Sequence, residues 1–281
     1  MPHSVEKKAE IGGAGLRGQS AGSTALCTVG KTGTGLTYRG YDITDLANNA
    51  QFEEVAHLLL RGHLPNQQEL DAYKTHLLSL RGLPAELKQA LELIPADAHP
   101  MDVMRTGCSM LGNLEQEIDF EQQLHATERM LALFPAIICY WYRFSHDGVR
   151  IKTHGSSEDC IGGYFLKLLT DKAPSETHKK VMHCSLILYA EHEFNASTFA
   201  ARVCASTLSD LHSCITAAIG TLRGPLHGGA NEAAMEMIQD WQTPDEAEAN
   251  ILQMLENKDK IMGFGLSLIH ISEPTIRYEI S

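Results

Sequence analysis

Residues 208–222 read LSDLHSCITAAIGTL, and Leu208, Leu211, Ile215, Ala218, Ile219 and Leu222 recur along them at helical spacing. Residues three and four apart share one face of an α-helix, so this stretch predicts a helix with a broad apolar side. The same signal repeats outward in both directions. Met130 to Tyr142, MLALFPAIICYWY, is apolar almost throughout and reads as a buried core helix. It is too short to span a bilayer, and Pro135 interrupts it. Asn66 followed three residues later by Glu69 is a capping-box pattern that opens ELDAYKTHLLSL. Pro84 stands at the first helical position expected before AELKQALELI. Thr243, Pro244 and Glu246 repeat the start signal before a helix running through Leu255. About a dozen helical segments follow from this periodicity. Two short β-prone runs flank GKTGTG at residues 30–35 and predict one small N-terminal hairpin. No strands alternate with the helices, so the fold class is mainly α and no parallel α/β sheet is expected.

The 281 residues carry 43% hydrophobic and 21% charged side chains, the balance of an ordinary globular protein with ample chain for a packed core. The formal net charge is −12. That much negative charge excludes nucleic acid as a partner, since phosphate binding needs a basic face, and it disfavours an anionic membrane surface. The N-terminus, MPHSVEKKAEIGG, has no apolar signal core. Cysteines 27, 108, 139, 160, 184, 204 and 214 are scattered, odd in number and without a C-x-x-C pair. Reduced, mostly buried thiols in a cytoplasmic protein fit that usage. Residues 1–22, polar and glycine-rich, read as a flexible arm.

Several motifs begin and fail. Gly13, Gly15 and Gly18 match G-x-G-x-x-G, but KKAEI precedes and GQSAGS follows, where a dinucleotide site needs a strand and a helix. Gly30-Lys31-Thr32 ends like a phosphate loop, yet its first glycine position is Ala25. His192-Glu193 opens like a zinc-protease motif, but the position of the second ligand is Ala196. No metal site is assigned.

Three segments are crowded with residues that do chemistry. Glu191 to Thr198, EHEFNAST, follows the apolar run CSLILYA and is placed at a helix end. Arg223 to Glu232, RGPLHGGANE, lies between a helix ending near Leu222 and one starting near Asn231. Glycines around His227 allow a ligand to approach the backbone, and the next helix aims its amides at the loop, which suits an anion. Ile261 to Gly265, IMGFG, is a third glycine-bearing loop.

At these residues the chain resembles the citrate synthase family, and within it the bacterial 2-methylcitrate branch. The resemblance runs from about Gly22 through Gly265. It is carried in order by ALCTVGKTG, YRGYDI, FEEVAHLLL, RGLPAEL, HPMDVMRTG, IGGYFLKLL, LYAEHEFNASTFAARV, AIGTLRGPLHGGANE, TPDEAEA and MGFG. It implies a helical homodimer with a large and a small domain, here 23–222 for the large domain (in part) and 223–265 for the start of the small one. It implies a condensation of propionyl-CoA or acetyl-CoA with oxaloacetate, with the CoA thioester as a substrate and no cofactor. By the same resemblance His227 is the catalytic histidine that supports the thioester enol. His192 contacts oxaloacetate with Asn195 beside it, and Lys260, Ile261, Met262, Gly263, Phe264 and Gly265 approach CoA.

The family pattern continues G-F-G-H-P, and its histidine donates to the oxaloacetate carbonyl. Here Leu266 follows Gly265, and residues 266–281, LSLIHISEPTIRYEIS, match nothing in that pattern and read as an artefactual tail. The catalytic aspartate and the carboxylate-binding arginines have no counterpart, so an inactive fragment is expected. Three readings remain open: a 2-methylcitrate synthase, a citrate synthase using acetyl-CoA, and a non-catalytic shortened paralogue that binds CoA or oxaloacetate.

Overall fold

A computed structural model of the chain describes residues 22–30, 35–225, 227–257, 259 and 261. They fall into two compact units, Ser23–Arg223 and the segment from Gly224 onward, with which Gly22 groups. The arm up to residue 21 and the tail from 266 lie outside the described residues.

The first unit opens with a three-stranded antiparallel sheet in the order β1 (Cys27–Thr28), β2 (Thr37–Tyr38), β3 (Tyr41–Asp42). The expected hairpin is β1 with β2, Cys27 facing Tyr38 and Thr28 facing Thr37. The third strand is an addition to that expectation. It is reached through Arg39 and Gly40, at φ 48° and 90°. Two successive positive φ angles let so short a turn match the twist of the strands.

Ten helices follow in this unit: α1 (Ile43–Asn49), α2 (Phe52–Arg61), α3 (Gln67–Ser79), α4 (Ala85–Glu92), α5 (Pro100–Leu114), α6 (Gln123–Asp147), α7 (Ile161–Thr170), α8 (Glu176–Leu188), α9 (Ala196–Ser206) and α10 (Leu211–Leu222). The apolar run at 130–142 forms the middle of α6, as expected. Leu133, Ala136, Ile137, Tyr140 and Trp141 on α6 are at most 2% exposed, packed with Leu87, Leu91, Val103, Leu111 and Tyr164. A proline inside a helix costs about 3 kcal/mol. Burying each large apolar side chain returns about 1.5–3 kcal/mol, so the packing outweighs Pro135. A Cβ on Gly107 would lie 2.5 Å from Ile137 Cγ2, so glycine is what lets α5 approach α6 this closely. A second core lies under the sheet, where Tyr38 meets Leu46, Val55, Leu58 and Ile187.

Two helix starts differ from expectation. Leu208 is not in α10: it is 75% exposed at φ 62°, in the reversal after α9. Asp210 sets the true start, accepting from the backbone N of Ser213 at 2.9 Å and from its hydroxyl at 2.6 Å. A carboxylate cap satisfies amides that an apolar residue further upstream cannot. Pro84 is likewise the cap residue and Ala85 the first residue of α4. The expected capping box at Asn66 and Glu69 is present, with reciprocal bonds of 3.0 and 2.8 Å.

The second unit, taken by itself, holds α11 (Ala230–Gln239) and α12 (Pro244–Glu256). Thr243 caps α12 through Glu246 N at 3.2 Å, as its sequence predicts. No helix among the described residues is long and apolar enough to cross a membrane. All seven cysteines are free thiols, five of them buried.

Candidate active site

The segment EHEFNAST joins α8 to α9. α8 ends at Leu188, and Asn195 begins the next helix. Its Oδ1 accepts from Thr198 N at 2.9 Å and from Ser197 Oγ at 2.7 Å. Asn195 is thus a helix cap, which fixes its side chain beside the loop. His192 sits in the middle of the loop, half-buried. The next residue, Glu193, has φ 53°, a left-handed conformation that a glutamate holds only when its neighbours enforce it.

The enforcement comes from the N-terminal sheet. Tyr38 Oη donates to Ile187 O at 2.9 Å and accepts from Glu191 N at 3.2 Å. Cys27 Sγ accepts from Glu193 N at 3.2 Å. Val29 N donates to Glu193 Oε1 at 3.3 Å. These partners are 149 to 166 residues apart in the chain. Sequence reading picked out His192 and Asn195 but not Cys27, Val29 or Tyr38, because no local pattern marks a contact so distant.

Burial sets the electrostatics of this corner. It pushes the Cys27 thiol up to about 12, against the lowering effect of the Glu193 amide and with added push from the Glu191 and Glu193 carboxylates. It holds the Tyr38 phenol at about 12. It also raises the Glu191 carboxyl above its ordinary value, opposed by hydrogen bonds from the Glu193 amide and the Cys27 thiol. The loop around His192 is therefore a poorly solvated place in which a second charge is unwelcome unless it is paired.

His227 belongs to the other unit, in the turn between Gly224 and α11. Its backbone N donates to Gly224 O at 2.9 Å, and Gly229 N reaches the same oxygen at 3.3 Å. A Cβ on Gly229 would lie 3.1 Å from Pro225 Cα, so the turn closes this tightly because residue 229 is glycine. His227 is half-buried at the start of α11, where the helix presents its first amides. Of the CoA segment, Ile261 is described and half-buried, whereas Lys260, Met262, Gly263, Phe264 and Gly265 lie outside the described residues.

Known proteins match this chain along most of its length. The family model described as "Citrate synthase, C-terminal domain" matches residues 15–278. The chain is 67% identical over 265 residues to the 2-methylcitrate synthase of Shewanella oneidensis, covering 94% of this chain and 70% of that protein. A crystal structure of citrate synthase from Thermotoga maritima aligns at a TM-score of 0.77 with 34% identity, over 89% of this chain and 66% of that one. The ternary complex of Thermoplasma acidophilum citrate synthase with carboxymethyl coenzyme A and oxaloacetate aligns at 0.79 with 29% identity, over 87% and 65%. The chain thus spans about two thirds of the length of these relatives. The family model covers most of the chain, the helical architecture agrees with the solved citrate synthases, and the chain belongs to the citrate synthase family.

Proposed function

We propose that the protein is a 2-methylcitrate synthase, condensing propionyl-CoA and oxaloacetate with water to release 2-methylcitrate and CoA. The observation that carries this is the 67% identity to the Shewanella enzyme over 94% of the chain. The chemistry needs a donor for the charge that grows on the thioester oxygen once the α-proton leaves. His227 fills that role from a turn whose glycines admit a thioester next to the backbone. His192 hydrogen-bonds oxaloacetate, and Asn195, fixed as a cap, borders the same pocket. CoA lies along residues 260–265. The CoA thioester is a substrate, and no cofactor is required. As part of the same reading we assign the protein a homodimeric state and a place in the bacterial cytoplasm.

Leu266 stands where the family places the histidine that polarises the oxaloacetate carbonyl. A positioned acid or base is worth about 10²–10⁴-fold in rate. The 281-residue chain as it stands should therefore release no CoA above the blank in a thiol-coupled assay with propionyl-CoA and oxaloacetate. The coding DNA read across the codon for Gly265 should continue His-Pro, and the product of that continuous frame should turn over propionyl-CoA faster than acetyl-CoA. Preference for acetyl-CoA would make it a citrate synthase instead. The two acyl groups differ by one methylene, about 1–3 kcal/mol of discrimination, so the comparison must be of kcat/KM for each. A continuous frame that keeps Leu266 and yields no turnover would leave only the shortened, ligand-binding reading.

A further inference from the structure

Glu191 and Glu193 flank His192, and each is tied to the N-terminal sheet by its backbone. The Tyr38 hydroxyl takes the Glu191 N–H and gives its own proton to Ile187 O, joining the last turn of α8 to the loop. The Cys27 thiol takes the Glu193 N–H and lies within hydrogen-bonding reach of the Glu191 carboxyl. Val29 N–H holds the Glu193 carboxylate. Cys27 and Tyr38 face each other across β1 and β2, so their side chains leave the sheet on one face. Both are buried, at 5% and 0% exposure. None of these bonds uses the His192 ring.

We propose that Cys27 and Tyr38 are positioning residues that clamp the backbone on either side of His192 and so present its ring for oxaloacetate. This rests on the reading of His192 as the oxaloacetate ligand. A loop between two helices samples many conformers, and a ligand that selects one of them binds more weakly by the fraction populated. The sheet removes that loss beforehand. It fixes Glu191 N, Glu193 N and the left-handed turn at Glu193, leaving the imidazole few orientations. A sheet whose three strands are each two residues long has little stability of its own. Its place in the fold is against Ile187 and the His192 loop, where the buried Tyr38 ring and Cys27 thiol anchor it.

The test uses the 281-residue chain with histidine labelled at Cε1, the His192 signal being assigned by its loss in His192→Gln. Tyr38→Phe and Cys27→Ala each remove a clamp while keeping most of the packing. Cys27→Ser retains a group that both accepts and donates. In the ligand-free spectra the His192 signal should shift or broaden in Tyr38→Phe and Cys27→Ala and return towards wild type in Cys27→Ser. The signals of His57 and His76 on α2 and α3 should stay in place, which separates a local release from unfolding. An unmoved His192 signal in both clamp variants overturns the proposal, as does equal disturbance of all the histidines or a failure of serine to rescue. Oxaloacetate is then titrated into each protein. Where oxaloacetate binds, Tyr38→Phe should bind it about tenfold more weakly, because the Glu191 N–H that holds the loop loses its acceptor. If oxaloacetate fails to move the wild-type His192 signal, as the lack of the carboxylate-binding arginines would allow, the ligand-free spectra alone decide whether Cys27 and Tyr38 hold the loop.

Discussion

Glu191 is the residue at which the electrostatics of the site can be read from outside. Burial raises its carboxyl, with the charge of Glu193 adding to the rise and the Glu193 amide and Cys27 thiol opposing it. The folded protein therefore holds this proton more tightly than the unfolded chain. The stabilisation from that proton is complete below the unfolded carboxylate value, about 4.3, and is lost as the pH rises through the higher native value. Glu191→Gln cannot ionise. It should melt at a higher temperature than wild type at pH 7–8, and the two melting curves should converge as the pH falls to about 4. A gap that is constant with pH would show that the carboxyl is not the cause. At this scale the sequence was half legible. Polar residues crowded after an apolar run marked the segment 191–198, and the family resemblance singled out His192 and Asn195 within it. Cys27 and Tyr38 sat unnoticed in a β-prone stretch, because their partners lie at the far end of α8 and single-residue character carries no record of who meets whom.

Helix α9 shows what an element gains from its first residue. None of its side chains is buried, so it owes little to the core and more to its cap and to α10 beside it. Asn195 accepts from Thr198 N at 2.9 Å at its start. Losing such a cap costs about 1 kcal/mol. Asn195→Ala should lower unfolding stability by about that much in urea titrations followed by circular dichroism, whereas Asn195→Asp should keep it within a few tenths of a kcal/mol. If alanine and aspartate behave alike, the cap is not what holds α9. Caps were also where elements were most legible. Asn66 with Glu69 and Thr243 with Glu246 are local chemistry that a sequence spells out, and the helices begin there. Apolar periodicity was a poorer guide to ends. Leu208 extended the pattern of α10 backward, yet Asp210 stops the helix, and the leucine is left in solvent. The third strand was illegible for a different reason: it is two residues long and follows an Arg-Gly turn, not the Asn-Gly that announces such turns.

The first unit leaves several large apolar side chains in solvent. Val181 and Tyr189 at α8, Val203 on α9 and Leu208 after it are 60%, 70%, 52% and 75% exposed. Most of that unit's apolar residues close two continuous cores, which is why a mainly helical fold could be read from periodicity. Periodicity says that a face is apolar without saying whether this chain or another covers it. In the homodimer proposed above a second copy of the same chain would cover such residues, and it must work against charge, since each copy carries −12. Apolar contact drives such an association while the like charges oppose it over distances that salt shortens from about 30 Å at 0.01 M to about 3 Å at 1 M. The dimer should therefore tighten as ionic strength rises, the reverse of an interface held by ion pairs. Sedimentation equilibrium across that range should show the dissociation constant falling. Val203→Arg, which puts a cation at an exposed apolar position of α9 in each copy, should shift the protein to monomer at every salt concentration. A wild-type chain that stays monomeric at micromolar concentration in high salt would remove the dimer.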